Sequence, residues 1–113
     1  MKIITESITL NEIKAMAAAT FCNLVKAVVD VEKELIAVDA ELHSDLEALL
    51  LEDGSKQKNL WGINIYPEIQ GDDFVEFDSM INMRPSQGNR SRGIENEELR
   101  EKIIAIVIKR IKQ

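Results

Sequence analysis

The sequence predicts an α+β fold, in which an antiparallel sheet of four to five strands carries the N- and C-terminal helices on one face. Four stretches, 25–31, 35–42, 60–66 and 74–84, alternate between apolar and polar residues with the period of a strand. Near each end of the chain, apolar residues recur instead at helical spacing. A chain of 113 residues has the length of one domain, so we expect residues 1–113 to form a single domain.

Composition and charge limit the class of protein. The net charge of −6 argues against general binding to nucleic acid or to an anionic membrane, although it leaves room for a local anion site. The single Cys22 cannot form an internal disulfide. The first ten residues lack the apolar run of a signal peptide, and the longest apolar run, 103–108, is too short to span a bilayer. We therefore expect a cytoplasmic protein without a membrane partner.

The first helix is predicted at about residues 10–22, after a short β-like segment at 1–8. Thr9 and Glu12 have the spacing of a capping box, which marks a helix N-terminus. An apolar stripe follows at Leu10, Ile13, Ala17, Phe21 and Leu24. Cys22, near the end of this helix, is expected to be a small buried hydrophobic residue.

The strands at 25–31 and 35–42 flank a polar turn at 32–34, and the segment after them is ambiguous. Ser44 and Glu47 form a second capping box, and Gly54 suits the residue after a helix. The run 48–51 followed by Asp53-Gly54 also fits a buried strand that enters a turn. Periodicity cannot separate the two over so short a run, and a short helix is favoured.

The strands at 60–66 and 74–84 each end before a proline. In the second, alternation places Val75, Phe77, Ile81 and Met83 on the core side. Trp61 is also expected in the core. The last helix begins after Asn96, a good N-cap residue, and carries an apolar stripe at Leu99, Ile103, Ile106, Val107 and Ile111.

The other sides of the four strands predict a sheet face, turned away from the two helices, that is too polar to form a second core. Such a face is either solvated surface or a binding site. Its predicted members are Lys26, Asp30, Asp39, Glu41, His43, Asn64, Tyr66, Glu76, Asp78, Asn82 and Arg84.

The loop after Pro85 is a candidate anion site. From Met80 to Gly93 the chain has three arginines and no acid, within a chain whose net charge is −6. Guanidinium groups match phosphate and carboxylate, and Gly88 lets backbone N–H groups approach an anion. The alternative is that the arginines pair with Asp30, Glu76 or Asp78 of the same fold. The predicted ligand-binding residues are Arg84, Gln87, Asn89, Arg90 and Arg92, with Asn64 on the neighbouring sheet face.

Glu41, His43 and Asp78 are the candidate catalytic residues. In an extended chain Glu41, His43 and Asp45 project to one side. An imidazole between carboxylates can act as a general base or as a metal ligand, and the alternative is a solvated or hydrogen-bonded histidine. The sequence has no phosphate-binding lysine loop, dinucleotide glycine pattern, zinc spacing or nucleophile elbow, so it predicts no metal and names no cofactor.

Four sequence blocks together resemble a family of small uncharacterised bacterial proteins known only as a domain of unknown function. The blocks are Glu41-Leu42-His43, Leu49 to Gln57, Leu60 to Pro67 and Phe77 to Arg92. The chain departs from the family pattern at Asp39-Ala40, where the family has Gly-Gly, and at Ser44, where it has Ala. The resemblance implies no activity.

Two hypotheses for function follow from these residues. In the first, the protein binds, and in its fullest form turns over, a phosphorylated or other anionic ligand that the arginines hold beside His43. In the second, it is a protein-interaction module or homo-oligomer without catalytic activity. The sequence does not decide whether the protein is an enzyme.

Overall fold

The computed structural model describes residues 1–113, the whole chain, and contains three α-helices and seven short strands, which we number in chain order. The helices are α1 (Leu10–Ala19), α2 (His43–Glu52) and α3 (Glu97–Arg110). The strands are β1 (Lys2–Ile4), β2 (Ile8–Thr9), β3 (Val25–Asp30), β4 (Leu35–Val38), β5 (Leu60–Ile65), β6 (Val75–Glu76) and β7 (Ile111–Lys112). None of the helices has the length and apolar character needed to cross a membrane.

Five strands form one antiparallel sheet in the order β1-β4-β3-β5-β6, which confirms the predicted α+β class. The two remaining strands, β2 and β7, pair in parallel and join the two ends of the chain, with Ile8 opposite Ile111. As predicted, α1 and α3 pack on one face of this sheet, over a core of 19 buried residues. Trp61, which is 4% exposed, belongs to this core.

The predicted capping box at the start of α1 is confirmed. The Glu12 N–H donates to Thr9 Oγ1 over 3.1 Å, and the Thr9 N–H donates to Glu12 Oε2 over 3.0 Å. The helix ends at Ala19, however, three residues before the predicted end. The chain then reverses through Cys22, whose φ is +73° and whose N–H donates to the Ala17 carbonyl. Cys22 is exposed, so the prediction that it is buried is wrong.

The favoured interpretation of residues 44–54 as a helix is confirmed by α2. Its N-cap is Leu42, with no side-chain capping bond, so Ser44 is not the predicted cap. At the other end Gly54 has a φ of +101°, and the Ser55 N–H donates to the Leu50 carbonyl over 2.9 Å. This pattern is a Schellman motif, in which a glycine takes the left-handed conformation that other residues resist.

Helix α2 covers part of the sheet face that was predicted to be too polar to form a second core, and that prediction is wrong there. A second core of five buried residues lies between α2 and the sheet, namely Val28, Ala37, Leu46, Leu50 and Leu60. Val28 and Ala37 are opposite each other on β3 and β4, and both lie on the side of these strands that alternates with the larger core. Only the other part of this face, beside the start of α2, stays open.

The predicted strand at 74–84 is also wrong beyond Glu76, where β6 ends. Ser79 then crosses directly over Gly62, since a Cβ atom built on Gly62 would lie 2.6 Å from Ser79 Cβ. Next, the Asn82 side chain takes the place of a strand partner: it accepts from the Gly62 N–H at 2.8 Å and donates to the Gly62 carbonyl at 2.9 Å. Asn82 is therefore fully buried, whereas Met83, predicted in the core, is 45% exposed.

Candidate functional site

A cleft of about 580 Å³ opens on the sheet face away from α1 and α3, at the N-terminal end of α2. This volume lies in the range of small-molecule sites. Side chains come from β3, from β5, from the chain after β6 and from the loop Arg84 to Arg92, which we call the arginine loop. Distant parts of the sequence therefore meet there. We call it the polar cleft, and its lining residues are Leu24, Lys26, Leu42, His43, Ser44, Asn64, Tyr66, Glu76, Asp78, Ser79, Met80, Ile81 and Arg92.

His43 is the first residue of α2 and lies at the base of the polar cleft. It is 8% exposed, so of the two alternatives to a catalytic role it matches the hydrogen-bonded histidine and not the solvated one. Its Nε2 lies 2.8 Å from the Ile63 carbonyl oxygen, so Nε2 carries the proton and Nδ1 of the neutral ring is an acceptor. Burial lowers the pKa of His43, and the hydrogen bond to Ile63 opposes this shift only in part. The imidazole is therefore neutral near pH 7 and can accept a proton.

Asn64 lies on β5 in the same cleft and is 7% exposed. Its Nδ2 donates to Glu76 Oε1 over 2.8 Å and to the Asp78 carbonyl over 3.3 Å. Its own carbonyl oxygen is buried and has no partner. An unpaired buried acceptor costs free energy, and such groups often mark functional sites.

Tyr66 extends this network at the edge of the sheet, where its hydroxyl donates to Glu76 Oε1 over 3.1 Å. Burial raises the pKa of the Tyr66 phenol, and the hydrogen bond to the Glu76 carboxylate raises it further. The phenol therefore stays protonated and keeps the Glu76 side chain in place.

Two cations and two carboxylates line the polar cleft. Arg92 Nε lies 2.8 Å from Asp78 Oδ1, and the two side chains are 56% and 42% exposed. Lys26 Nζ lies 5.0 Å from the centre of the Phe21 ring and forms no salt bridge. Lys26 is therefore a positive charge at the cleft without an acidic partner.

Three of the predicted ligand-binding residues instead hold the fold together. The Arg84 guanidinium stacks on Trp61, 4.0 Å from the ring centre, and donates to the Leu60 carbonyl at the edge of β5. The Gln87 amide donates to the Lys58 carbonyl. The Asn89 amide is buried and donates to the carbonyls of Asn82, Ser91 and Gly93.

Some side chains of the arginine loop therefore stabilise the fold, whereas Arg90 and Arg92 are exposed to solvent. Arg92 alone among the three arginines lines the polar cleft. Arg90 is exposed, and only its backbone is held, by a hydrogen bond from its N–H to Glu95 Oε2 at 2.6 Å. Glu41, the third candidate catalytic residue, is exposed and lies outside the cleft. The structure therefore brings together His43, Asn64, Asp78 and Arg92 of the predicted site residues.

Lys26, Tyr66 and Glu76 were placed on the polar face by alternation but were not chosen as site residues. The signal that could have identified them was their position on that face: Lys26 lies on β3, Tyr66 directly follows β5, and Glu76 is the last residue of β6. No group of three or more histidine, cysteine, aspartate or glutamate side chains is arranged to hold a metal ion.

The stability of the protein should decrease as the pH falls below about 6.5, the usual pKa of histidine. Because the folded-state pKa of His43 is lowered, the unfolded chain binds a proton first, and the loss is at most about 1.4 kcal/mol per pH unit. His43 is the only histidine, so urea unfolding between about pH 5.5 and 7 isolates its contribution. A His43→Gln variant should lose this dependence. An equal slope in both proteins would contradict the assignment.

A protein-family model described as "Protein of unknown function (DUF5674)" matches residues 2–110 of the chain. No curated protein and no solved structure matches the chain significantly.

Proposed function

The chain belongs to the DUF5674 family, whose function is unknown, and from its geometry we propose that it binds a small ligand with a phosphate or carboxylate group in the polar cleft. Membership of this family confirms the resemblance seen in the sequence and brings no activity with it. One observation carries the proposal: the cleft joins two cationic side chains to a buried neutral histidine and a buried amide oxygen without a partner.

The anionic group would lie between Lys26 and Arg92. Lys26 has no acidic partner. Arg92 uses only its Nε–H, toward Asp78, so the N–H groups of its two terminal nitrogens are free. A guanidinium with two free terminal nitrogens can bind a phosphate or carboxylate through a pair of hydrogen bonds.

The rest of the ligand would be partly apolar and would carry a hydrogen-bond donor. Leu42 and Met80 at the rim are 54% and 64% exposed, and a bound ligand would cover them. At the base, His43 Nδ1 and Asn64 Oδ1 are acceptors, so a hydroxyl or amino group suits them better than a second anion. These features support a phosphorylated or carboxylated metabolite with hydroxyl or amino groups.

Turnover is a narrower proposal that rests on His43. A neutral imidazole at the base of the cleft can accept a proton from a ligand hydroxyl, which is the role of a general base. For the cellular location we propose the cytoplasm, which the lone Cys22 supports.

Arg92→Ala should weaken ligand binding at least about tenfold, since a hydrogen bond to a charged group contributes about 1.5–3 kcal/mol. Arg90→Ala is the matched control, because it removes the same charge from the same loop outside the cleft. Its affinity should stay within about twofold of the natural protein. Isothermal titration calorimetry with ribose 5-phosphate, glycerol 3-phosphate and citrate measures the ligand affinity of both variants and of the natural protein.

Equal losses in the two variants would show that loop charge, and not the polar cleft, binds the anion. Lys26→Met provides a second check, because Lys26 lies on a different part of the chain, on β3. This change should weaken binding of the same ligand by a similar factor. Failure of all three probes to bind the natural protein would count against the proposed ligand class.

A further inference from the structure

Lys26, Asn64 and Glu76 form a row across three neighbouring strands at the polar cleft. Lys26 on β3 lies opposite Asn64 on β5, and Asn64 lies opposite Glu76 on β6. Residues directly opposite each other in antiparallel strands project from the same face of the sheet. Neighbouring strands are about 4.8 Å apart, so the backbones at Lys26 and Glu76 are separated by roughly 10 Å. A positive and a negative side chain therefore flank a buried amide.

The two charges of this row have no partner of opposite sign in the chain. Neither Lys26 nor Glu76 takes part in a salt bridge, whereas Arg92 and Asp78 pair with each other. The Glu76 carboxylate accepts hydrogen bonds from the Asn64 amide and the Tyr66 hydroxyl. These neutral donors fix its position but leave its charge uncompensated. The cleft therefore presents one uncompensated charge of each sign.

The amide between these charges needs a donor from outside the chain. Asn64 Oδ1 is buried without a partner, and Asn64 Nδ2 is already bonded to Glu76 and to the Asp78 carbonyl. Reversing the amide would place its oxygen against the Glu76 carboxylate. Burial lowers the pKa of His43, while a hydrogen bond from the protonated ring to Asn64 acts in the opposite direction, so the two side chains are adjacent. In the neutral ring Nδ1 is a second acceptor, which suits a group with several N–H donors.

We propose that the ligand of the polar cleft is a small zwitterion with a primary ammonium group and a carboxylate or phosphate. The ammonium group lies at Asn64 Oδ1 and the Glu76 carboxylate. This ligand class rests on the proposed function, which supplies the anionic group at Lys26 and Arg92, and narrows the rest of the ligand to an amine. An ammonium group has three N–H donors and a charge that Glu76 complements, whereas a hydroxyl has one donor and no charge. Amino acids and aminoalkyl phosphates have this chemistry.

Isothermal titration calorimetry at about pH 7, where amines are protonated, tests the ammonium end with two matched pairs of compounds. The members of each pair differ only by an amino and a hydroxyl group: O-phosphoethanolamine with 2-hydroxyethyl phosphate, and serine with glycerate. The amine of at least one pair should bind at least about tenfold more tightly than its hydroxyl counterpart. Glu76→Gln should remove this preference, so that the two members bind within about twofold of each other. It removes the charge but keeps an oxygen that can accept from Asn64 and Tyr66.

Two further variants separate the two ends of the ligand. Lys26→Met should weaken both members of a pair by a similar factor and keep the preference, because it removes a charge at the anionic end. Glu52→Gln is the matched control for Glu76→Gln, since Glu52 is exposed, forms no salt bridge and lies outside the cleft. It should leave every affinity within about twofold of the natural protein.

Amines that bind no more tightly than their hydroxyl counterparts, or a preference that survives Glu76→Gln, would overturn the zwitterion and leave the anion site standing. Failure of both pairs would have the same meaning if ribose 5-phosphate, glycerol 3-phosphate or citrate binds in the cleft. If none of these compounds binds, the proposed function fails as well. Circular dichroism of each variant confirms that the fold is kept.

Discussion

Replacing Asp30 with alanine is expected to lower the free energy of unfolding by about 3–5 kcal/mol. Asp30 ends β3 and is 1% exposed. Its Oδ1 accepts hydrogen bonds from the N–H groups of Glu32 and Lys33, both at 2.9 Å, and its Oδ2 accepts from Ser55 Oγ at 2.6 Å. The carboxylate therefore fixes the turn between β3 and β4 to the end of α2, and its loss leaves three donors without a partner.

Urea unfolding measures this effect, and Asp73→Ala is the control because Asp73 is exposed and forms no side-chain hydrogen bond. The control should change stability by less than about 0.5 kcal/mol. Asp30→Asn should fall between the two, since the amide oxygen still serves the turn while the amide nitrogen cannot accept from Ser55. If Asp30→Ala were no more harmful than Asp73→Ala, the account of this turn would be wrong.

Replacing Asn82 with alanine is expected to lower the free energy of unfolding by about 2–4 kcal/mol. Asn82 is fully buried, and its amide satisfies both backbone groups of Gly62 as well as the Arg92 carbonyl, at 3.0 Å. Without the Asn82 side chain, the N–H and carbonyl groups of Gly62 on β5 lose their hydrogen-bond partners. The Arg92 carbonyl also loses the hydrogen bond that holds the backbone there. The same change should therefore weaken ligand binding in the polar cleft.

Asn82→Asp separates hydrogen bonding from packing, because it keeps the shape but replaces two N–H donors with a carboxylate oxygen. That oxygen would face the carbonyls of Gly62 and Arg92, so the aspartate should destabilise at least as much as the alanine. Asn23→Ala, at an exposed position, is the control and should be nearly neutral. A well-tolerated Asn82→Asp would contradict the proposed hydrogen-bond pattern.

Most of the helices and strands could be predicted from local sequence patterns. The capping box at Thr9, the N-cap at Asn96, whose side chain accepts from the Leu99 N–H, and the stripes of α1 and α3 depend on residues a few positions apart. Alternation likewise placed β3 and β5 correctly, because the period of two reports which side of a strand is buried. It also placed the start of β4, but the strand predicted at 35–42 ends at Val38.

The segment after β6 could not be predicted in this way, since its conformation depends on contacts with distant residues. Its alternation fits a strand. However, Ser79 can cross over Gly62 only because glycine has no side chain, and Asn82 hydrogen-bonds to Gly62, which lies 20 positions earlier. The second core was missed for a similar reason: Val28 and Ala37 are buried only because α2 folds over them.

The candidate site was predicted in part. Alternation placed His43, Asn64 and Asp78 on one face, and all three line the polar cleft, although His43 does so as the first residue of α2 and not as part of a strand. The roles of the three arginines could not be separated, because each guanidinium is equally suited to an anion and to a carbonyl of the same chain. Arg84 reaches the Leu60 carbonyl across 24 residues, a contact that no spacing in the sequence reports.

Two-dimensional ¹H–¹⁵N NMR during titration with ribose 5-phosphate, glycerol 3-phosphate and citrate tests most directly whether the polar cleft is the ligand site. The proposal predicts that at least one compound shifts the backbone amide signals of Lys26, His43, Asn64 and Arg92 together and in a saturable manner. The amide signals of Arg90 and Ile108, outside the cleft, should move little. Saturable shifts confined to residues outside the cleft, or no shift at any cleft amide with all three compounds, would contradict it.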